Sequence, residues 1–114
     1  MSDVTVQALG FALNGLTQQQ QVLANNISNQ DTPDFQASQV DFASSLQAAL
    51  ASPSGGTATI SVTPSADPSN ASGNNVNITN QMTAAQQNSL QYQSVVEALT
   101  NTFTLQQTAQ DANF

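Results

Sequence analysis

The chain has 114 residues, enough for one domain, and it is polar: 39% of the residues are hydrophobic and 6% are charged. Seven acidic residues stand against no Lys, Arg or His, giving a net charge of −7, which argues against nucleic-acid binding and against docking on an anionic membrane. The absence of Cys excludes disulfides and thiolate metal sites. We therefore expect narrow apolar stripes rather than a thick core.

Residues 3–29 are predicted to form one long helix, because apolar residues recur at alternating steps of three and four. This spacing is a heptad seam with one polar member, Gln20. Gly10 and Gly15 weaken an isolated helix by up to about 1 kcal/mol each, so the seam needs a partner. The seam consists of Val6, Leu9, Leu13, Leu16, Gln20, Leu23 and Ile27.

A cluster of Asn, Ser, Asp, Thr and Pro follows this helix. Pro33 disfavours a helical conformation at Thr32, so the helix is predicted to stop by about residues 29–31. Asn and Asp side chains can bond to nearby backbone groups and hold the chain in a defined corner. We assign this corner motif to Asn25, Asn26, Asn29, Thr32, Pro33 and Phe35.

After the corner, residues 35–40 are predicted to be extended or irregular. Asp41 is positioned to cap a short helix in which Phe42, Leu46, Ala49 and Leu50 share a face. Residues 51–75 are rich in Pro, Gly and Ser and are predicted to be a flexible linker or a short β segment. Residues 58–63 alternate like a strand, and a lone strand would need a neighbour to pair with.

Residues 78–108 are predicted to form the second long helix, again with heptad spacing. The two seams can pair within the chain as an antiparallel hairpin, or with seams of neighbouring subunits. The second seam consists of Ile78, Met82, Ala85, Ser89, Tyr92, Val96, Leu99, Phe103 and Gln106. From both helices we assign an assembly seam to Leu9, Leu13, Leu16, Leu23, Ile27, Met82, Tyr92, Val96, Leu99 and Phe103.

These elements predict an all-α fold with two long helices in a coiled-coil-like pair, a short middle helix, and an extended or irregular Pro/Gly/Ser-rich segment. Residues 1–50 and 76–114 are predicted to form one structural domain, connected by residues 51–75.

Catalytic chemistry is not indicated. General acid–base catalysis usually relies on His, Lys or a carboxyl with a shifted pKa, and the first two are absent from the chain. Ser and Thr are abundant, but no base is available to activate them. Asp31 and Asp34 are better explained as turn-forming residues than as cation ligands. We therefore predict no enzyme activity, no catalytic residues, no metal and no cofactor.

Two blocks of the sequence resemble a known family. Asn25-Asn26-Ile27-Ser28-Asn29-x-x-Thr32-Pro33-x-Phe35 is similar to the N-terminal signature of bacterial flagellar axial proteins, a family of rod, hook and hook-associated subunits. Asp31-Thr32-Pro33 followed by Val40-Asp41-Phe42 looks most like the proximal rod proteins. A second block, Gly73-Asn74-Asn75-Val76 with Met82, Tyr92-Gln93 and Phe103, resembles the C-terminal helix of that family.

The resemblance covers about residues 8–50 and 73–108, with two departures. Asp34 stands where the family usually has Gly, and Gln81 where it usually has Glu. A Gly position indicates a backbone with positive φ, which Asp tolerates better than most residues.

The resemblance implies a structural subunit of the flagellar proximal rod that assembles by helix packing. It implies partners among other rod proteins and adjacent basal-body or export-gate components, and a location in the periplasm-spanning rod. It also implies delivery by the flagellar type III apparatus without a cleaved signal peptide. Composition and heptads equally permit a secreted coiled-coil binding module or an assembly adaptor.

Overall fold

The computed structural model describes residues 3–42, 44, 45, 47 and 60–112. Its elements are helix α1 (Asp3–Ser28), strand β1 (Ser38–Asp41), strand β2 (Ser61–Pro64) and helix α2 (Ile78–Ala112). The two long helices predicted from the heptads are confirmed. They lie antiparallel, because the end of α1 contacts the start of α2 and the middle of α1 contacts α2 further along. The molecule is an elongated body of 68 × 28 × 15 Å.

Both helices have recognisable ends. At the end of α1, the side chains of Ser28 and Asn29 donate to the carbonyl of Asn25 at 2.9 and 2.8 Å. At the start of α2, the side-chain oxygen of Asn77 accepts from the backbone N–H of Asn80 at 3.1 Å, as an N-cap does. Helix α2 has 35 residues and contains no Gly or Pro. At about 1.5 Å per residue it is roughly 52 Å long. Neither α1 nor α2 combines the length and hydropathy needed to cross a membrane.

A small antiparallel sheet makes the all-α prediction wrong. Strand β1 pairs with β2, with Val40 opposite Val62 and Ser38 opposite Pro64. The strand predicted over residues 58–63 is found at Ser61–Pro64, and residues 58 and 59 lie outside the described part of the chain. The partner that a lone strand requires is the segment after the corner, which the sequence suggested only as extended or irregular.

The short helix after β1 lies only partly within the described residues. Phe42, Ser44, Ser45 and Gln47 have helical backbone, and the carboxylate of Asp41 accepts from the N–H of Ser44 at 3.3 Å. The predicted face members Leu46, Ala49 and Leu50 lie outside the described residues.

The interior is unusually polar. Among the described residues, the buried hydrophobic side chains are Leu16, Leu23 and Ala37. Six polar residues of the described part are equally buried, four of them asparagines: Asn26, Ser45, Asn74, Asn75, Asn88 and Thr102. Because buried amides are tolerated only when they are hydrogen-bonded, the contacts of these asparagines decide how the chain is held together.

Candidate functional site

Asn26 fastens the end of α1 to the strand that follows the corner. Its side chain is 0% exposed. Its Oδ1 accepts from the N–H of Ser38 at 3.0 Å, and its Nδ2 donates to the C=O of Ser38 at 2.8 Å. The same Nδ2 donates to Oε1 of Gln81 on α2 at 2.9 Å. One amide therefore joins three elements: α1, β1 and α2.

Asn74 and Asn75 hold the corner from the other side. Nδ2 of Asn74 donates to the carbonyls of Asn29 and Thr32 at 2.8 and 2.7 Å. Oδ1 of Asn75 accepts from the N–H of Ala37 at 2.6 Å. Side chains of the segment just before α2 thus form hydrogen bonds with backbone groups that have no partner within the turn after α1.

The tightest point of the corner lies between Asp34 and Gly73. Asp34 has φ 62°, a left-handed conformation that Asp tolerates better than most residues. Gly73 has φ 80°, and a Cβ there would collide with the carboxylate of Asp34. The N–H of Asp34 donates to the C=O of Ser72 at 2.8 Å, which closes the contact.

The remaining corner residues have smaller parts. Asn25 is exposed, and its carbonyl accepts the hydrogen bonds from the side chains of Ser28 and Asn29 at the end of α1. The hydroxyl of Thr32 donates to Oδ1 of Asn29 at 3.1 Å. Pro33 is exposed, whereas Phe35 is half-buried and its carbonyl accepts from the N–H of Asn75 at 3.3 Å. The structure brings the corner residues together around buried Asn26 and Asn74.

The α1 residues assigned to the assembly seam lie mostly inside the molecule. Leu16 and Leu23 are 7% exposed, and Leu9, Leu13 and Ile27 are half-buried. The polar seam member Gln20 is exposed, but its Oε1 accepts from Asn88 at 2.9 Å. This stripe is therefore occupied largely by contacts within the chain.

The α2 residues assigned to the seam lie mostly outside. Leu99 is half-buried, whereas four are exposed, by fractions of 40–54%. We call these four the open face: Met82, Tyr92, Val96 and Phe103. The residues directly before Met82, Val96 and Phe103 are more buried than those three. Together with buried Asn88 they form a second row at seven-residue spacing: Gln81, Asn88, Val95 and Thr102. Helix α2 thus carries two adjoining heptad rows, one turned inward and one open.

Sequence reasoning missed the inward row because its members Gln81, Asn88 and Thr102 are polar. Asn88 donates to the carbonyl of Leu16 at 2.9 Å and Gln81 accepts from Asn26, so the packing of α2 on α1 uses amide hydrogen bonds. The repeated polar residues at seven-residue spacing were the available signal. Among the described residues, no three carboxylates gather closely enough to hold a metal ion.

The chain is similar to proteins of one family. Residues 7–36 match the family described as flagella basal body rod protein. The flagellar basal body rod protein FlgB of Escherichia coli K12 is 35% identical over an alignment length of 123 residues, and the alignment covers 87% of this chain and 89% of that protein. FlgB of Bacillus subtilis 168 is 34% identical over an alignment length of 112 residues, and the alignment covers 87% of each chain. FlgB of Yersinia ruckeri is 56% identical over 36 residues, 32% of this chain and 26% of that protein.

Proposed function

The chain belongs to the family of flagellar basal-body rod proteins, and from this premise we propose that it is a structural subunit of the proximal rod that joins its neighbours through the open face of α2. The observation that carries the proposal is the double heptad row of that helix. The inward row is occupied by α1, while Met82 and Phe103 of the open row are 54% and 50% exposed.

The open face has the character of an interface that is completed by a second helix. Large apolar side chains at heptad spacing form a continuous stripe along a helix, and such a stripe is typical of helix-to-helix contacts. Burying each of them fully would contribute about 1.5–3 kcal/mol, of which part is already gained in the single chain. A neighbouring helix on this stripe would therefore add stability that the single chain lacks.

The flanks of the open face are nearly uncharged. Helix α2 contains two acidic residues, Glu97 and Asp111, and no basic residue. Contacts of this face therefore depend on apolar burial and amide hydrogen bonds more than on ion pairs. A contact of this kind between unlike surfaces of successive subunits propagates a helical array when the rotation between them does not close.

The partners proposed for this surface are other rod proteins and the adjacent basal-body or export-gate components. We also propose export without cleavage of a signal peptide into the periplasm-spanning rod. The location is supported by the match to flagellar basal body rod proteins. Residues 1–50 and 76–114 then act as one structural domain, as the contacts between α1 and α2 suggest.

The test compares charged substitutions on two sides of α2. Val96→Asp and Phe103→Asp place a charge on the open face, whereas Asn101→Asp places the same charge on an exposed position away from it. All three purified variants are expected to keep the helical content of the parent chain. Only the first two should be lost from purified basal bodies, as measured by quantitative mass spectrometry.

Equal incorporation of Val96→Asp and Asn101→Asp would show that the open face is not a rod contact. The adaptor alternative is tested by light scattering of the purified chain at rising concentration. An adaptor stays small, whereas a rod subunit grows into larger assemblies.

A further inference from the structure

Asn14 and Gly15 form an Asn-Gly pair in the middle of α1, the one such pair in the sequence. Asn14 is exposed, whereas Gly15 is buried. A Cβ at residue 15 would collide with the ring of Phe42, so the packing of α1 keeps a glycine at this position. The fold therefore places after Asn14 the residue type that hinders its side chain least.

An Asn side chain that precedes Gly can react with its own backbone. The nitrogen of the following residue bonds to Cγ of the amide, the bond from Cγ to Nδ2 breaks, and the proton of the attacking nitrogen leaves with Nδ2 as ammonia. Water then opens the resulting succinimide ring at either of its two carbonyls. One opening gives aspartate, and the other gives isoaspartate, in which the main chain runs through the side-chain carbon. The absence of a Cβ on Gly leaves its nitrogen accessible for the attack.

The helical backbone of α1 opposes this attack. Both residues lie within Asp3–Ser28, and the α-helical pattern pairs the N–H of Gly15 with the carbonyl of Phe11. The ring closes only after the peptide unit between Asn14 and Gly15 rotates out of the helical conformation, which breaks that hydrogen bond. The reaction therefore requires a state in which this turn of α1 is open.

We propose that Asn14 is a self-modification site controlled by the pairing of the two helices: it converts to aspartate and isoaspartate while α1 is unpaired and is protected once α1 packs on α2. A helix that contains Gly10 and Gly15 is marginal by itself. Burial of Leu16 and Leu23, each 7% exposed, stabilises the paired helix and so keeps this turn closed. The chemistry is independent of the proposed rod function.

The two products differ in their effect on α1. Aspartate leaves the main chain unchanged and adds one negative charge at an exposed position. Isoaspartate adds an extra atom to the main chain, which interrupts the helical hydrogen-bond pattern and turns Leu13 and Leu16 away from a common stripe. A chain with isoaspartate at this position should therefore fail to pair α1 with α2.

Incubation of the purified chain at neutral pH, in buffer and in guanidinium chloride, tests the protection. Chymotryptic peptides are analysed by mass spectrometry, because the chain has no Lys or Arg for trypsin. In denaturant Asn14 should gain one mass unit faster than exposed Asn101, which precedes a β-branched Thr. In buffer the reaction of Asn14 should be slower by about tenfold or more, and Asn14→Gln should remove the signal. Equal rates in buffer and denaturant, or a denatured Asn14 no faster than Asn101, would overturn the proposal.

Matched substitutions test whether pairing with α2 controls the rate. Leu23 is buried and well separated from Asn14 in sequence, whereas Leu90 is 65% exposed. Leu23→Ala weakens the contacts of α1 and should speed the reaction in buffer by about tenfold or more, while Leu90→Ala should leave the rate unchanged. Equal rates in the two variants would contradict control by helix pairing.

Refolding of the chain after incubation in denaturant tests the effect of the products. Isoaspartate is identified by enzymatic methylation of its carboxylate, and it should be depleted from the refolded, helical fraction. The Asn14→Asp variant should keep the unfolding midpoint of the parent chain. Isoaspartate at its starting proportion in the refolded fraction, or a large loss of midpoint in Asn14→Asp, would show that the extra main-chain atom is not what prevents pairing.

Discussion

Asp34 and Gly73 approach each other across the corner, and both have left-handed backbone, with φ of 62° and 80°. The carboxylate of Asp34 occupies the space where residue 73 would carry a Cβ. The N–H of Asp34 is bonded to the carbonyl of Ser72, so the two segments cannot separate without loss of that bond. The pair joins the N-terminal corner to the segment that leads into α2.

This arrangement predicts that Gly73→Ala lowers the free energy of unfolding by about 1–3 kcal/mol, from left-handed strain together with the collision. Asp34→Gly should change it by no more than about 0.5 kcal/mol, because relief of strain offsets the greater freedom of the unfolded chain. Urea unfolding followed by circular dichroism measures both. Asp34→Gly should also reduce the cost of Gly73→Ala, and strictly additive effects would mean that the two residues do not interact.

Substitution by Ala should lower stability strongly at Asn26 and only slightly at the adjacent residue Asn25. Asn26→Ala removes the three hydrogen bonds of a buried side chain, including those to the N–H and C=O of Ser38, so it should cost about 2–4 kcal/mol. Asn25 is exposed and its carbonyl survives substitution, so Asn25→Ala should cost less than about 0.5 kcal/mol. Thermal unfolding of the two variants gives the comparison. Similar losses of stability in both variants would show that the hydrogen bonds of Asn26 do not stabilise the corner more than those of Asn25.

The two glycines of α1 predict effects of opposite sign. A Cβ at Gly10 meets nothing within 4 Å, so Gly10→Ala should stabilise the chain by about 0.5–1 kcal/mol through helix propensity. At Gly15 the same atom would collide with the ring of Phe42, which also packs on Phe11 with ring centroids 5.9 Å apart. We expect Gly15→Ala to lower the unfolding midpoint in spite of its better propensity. Stabilisation by both would indicate that Phe42 can leave α1 freely.

Leu16 and Leu90 separate the inside of the helix pair from its surface. Leu16 is 7% exposed and Leu90 is 65% exposed. Leu16→Ala should cost about 2–4 kcal/mol, whereas Leu90→Ala should stay within about 0.5 kcal/mol. The midpoint of urea unfolding reports the difference. An equal, small effect at both positions would mean that α1 and α2 do not pair in the isolated chain.

The predictable part of the fold rests on local spacing. The heptad recurrences from Val6 to Ile27 and from Ile78 to Gln106 predicted the two long helices, and both are found. The Asn-rich segment before Pro33 predicted the corner, and Asp34, which stands where the family usually has Gly, has the positive φ that Asp tolerates better than most residues. These features depend on residues that are neighbours in sequence, so their propensities act together on the same few turns of chain.

The sheet was not predictable in the same way. Strand β2 had a recognisable alternation, but its partner is a four-residue strand, β1, more than twenty residues earlier in the chain. Nothing in the spacing around Val40 indicated which segment would lie beside it. The pairing follows from the corner, because Asn26 fixes the backbone of Ser38 and so sets where β1 begins.

The sequence by itself determined where the helices lie, where the chain turns, and that a flagellar rod family was the one to consider. Only the tertiary structure decided which face of α2 turns inward. Apolar periodicity marks Met82, Val96 and Phe103, yet the neighbouring polar row packs on α1, through bonds such as Asn26 to Gln81 and Asn88 to Leu16, which span 55 and 72 residues. Apolar spacing shows which side chains avoid water, but an amide is buried only where distant partners satisfy it, and those partners meet only in the folded chain.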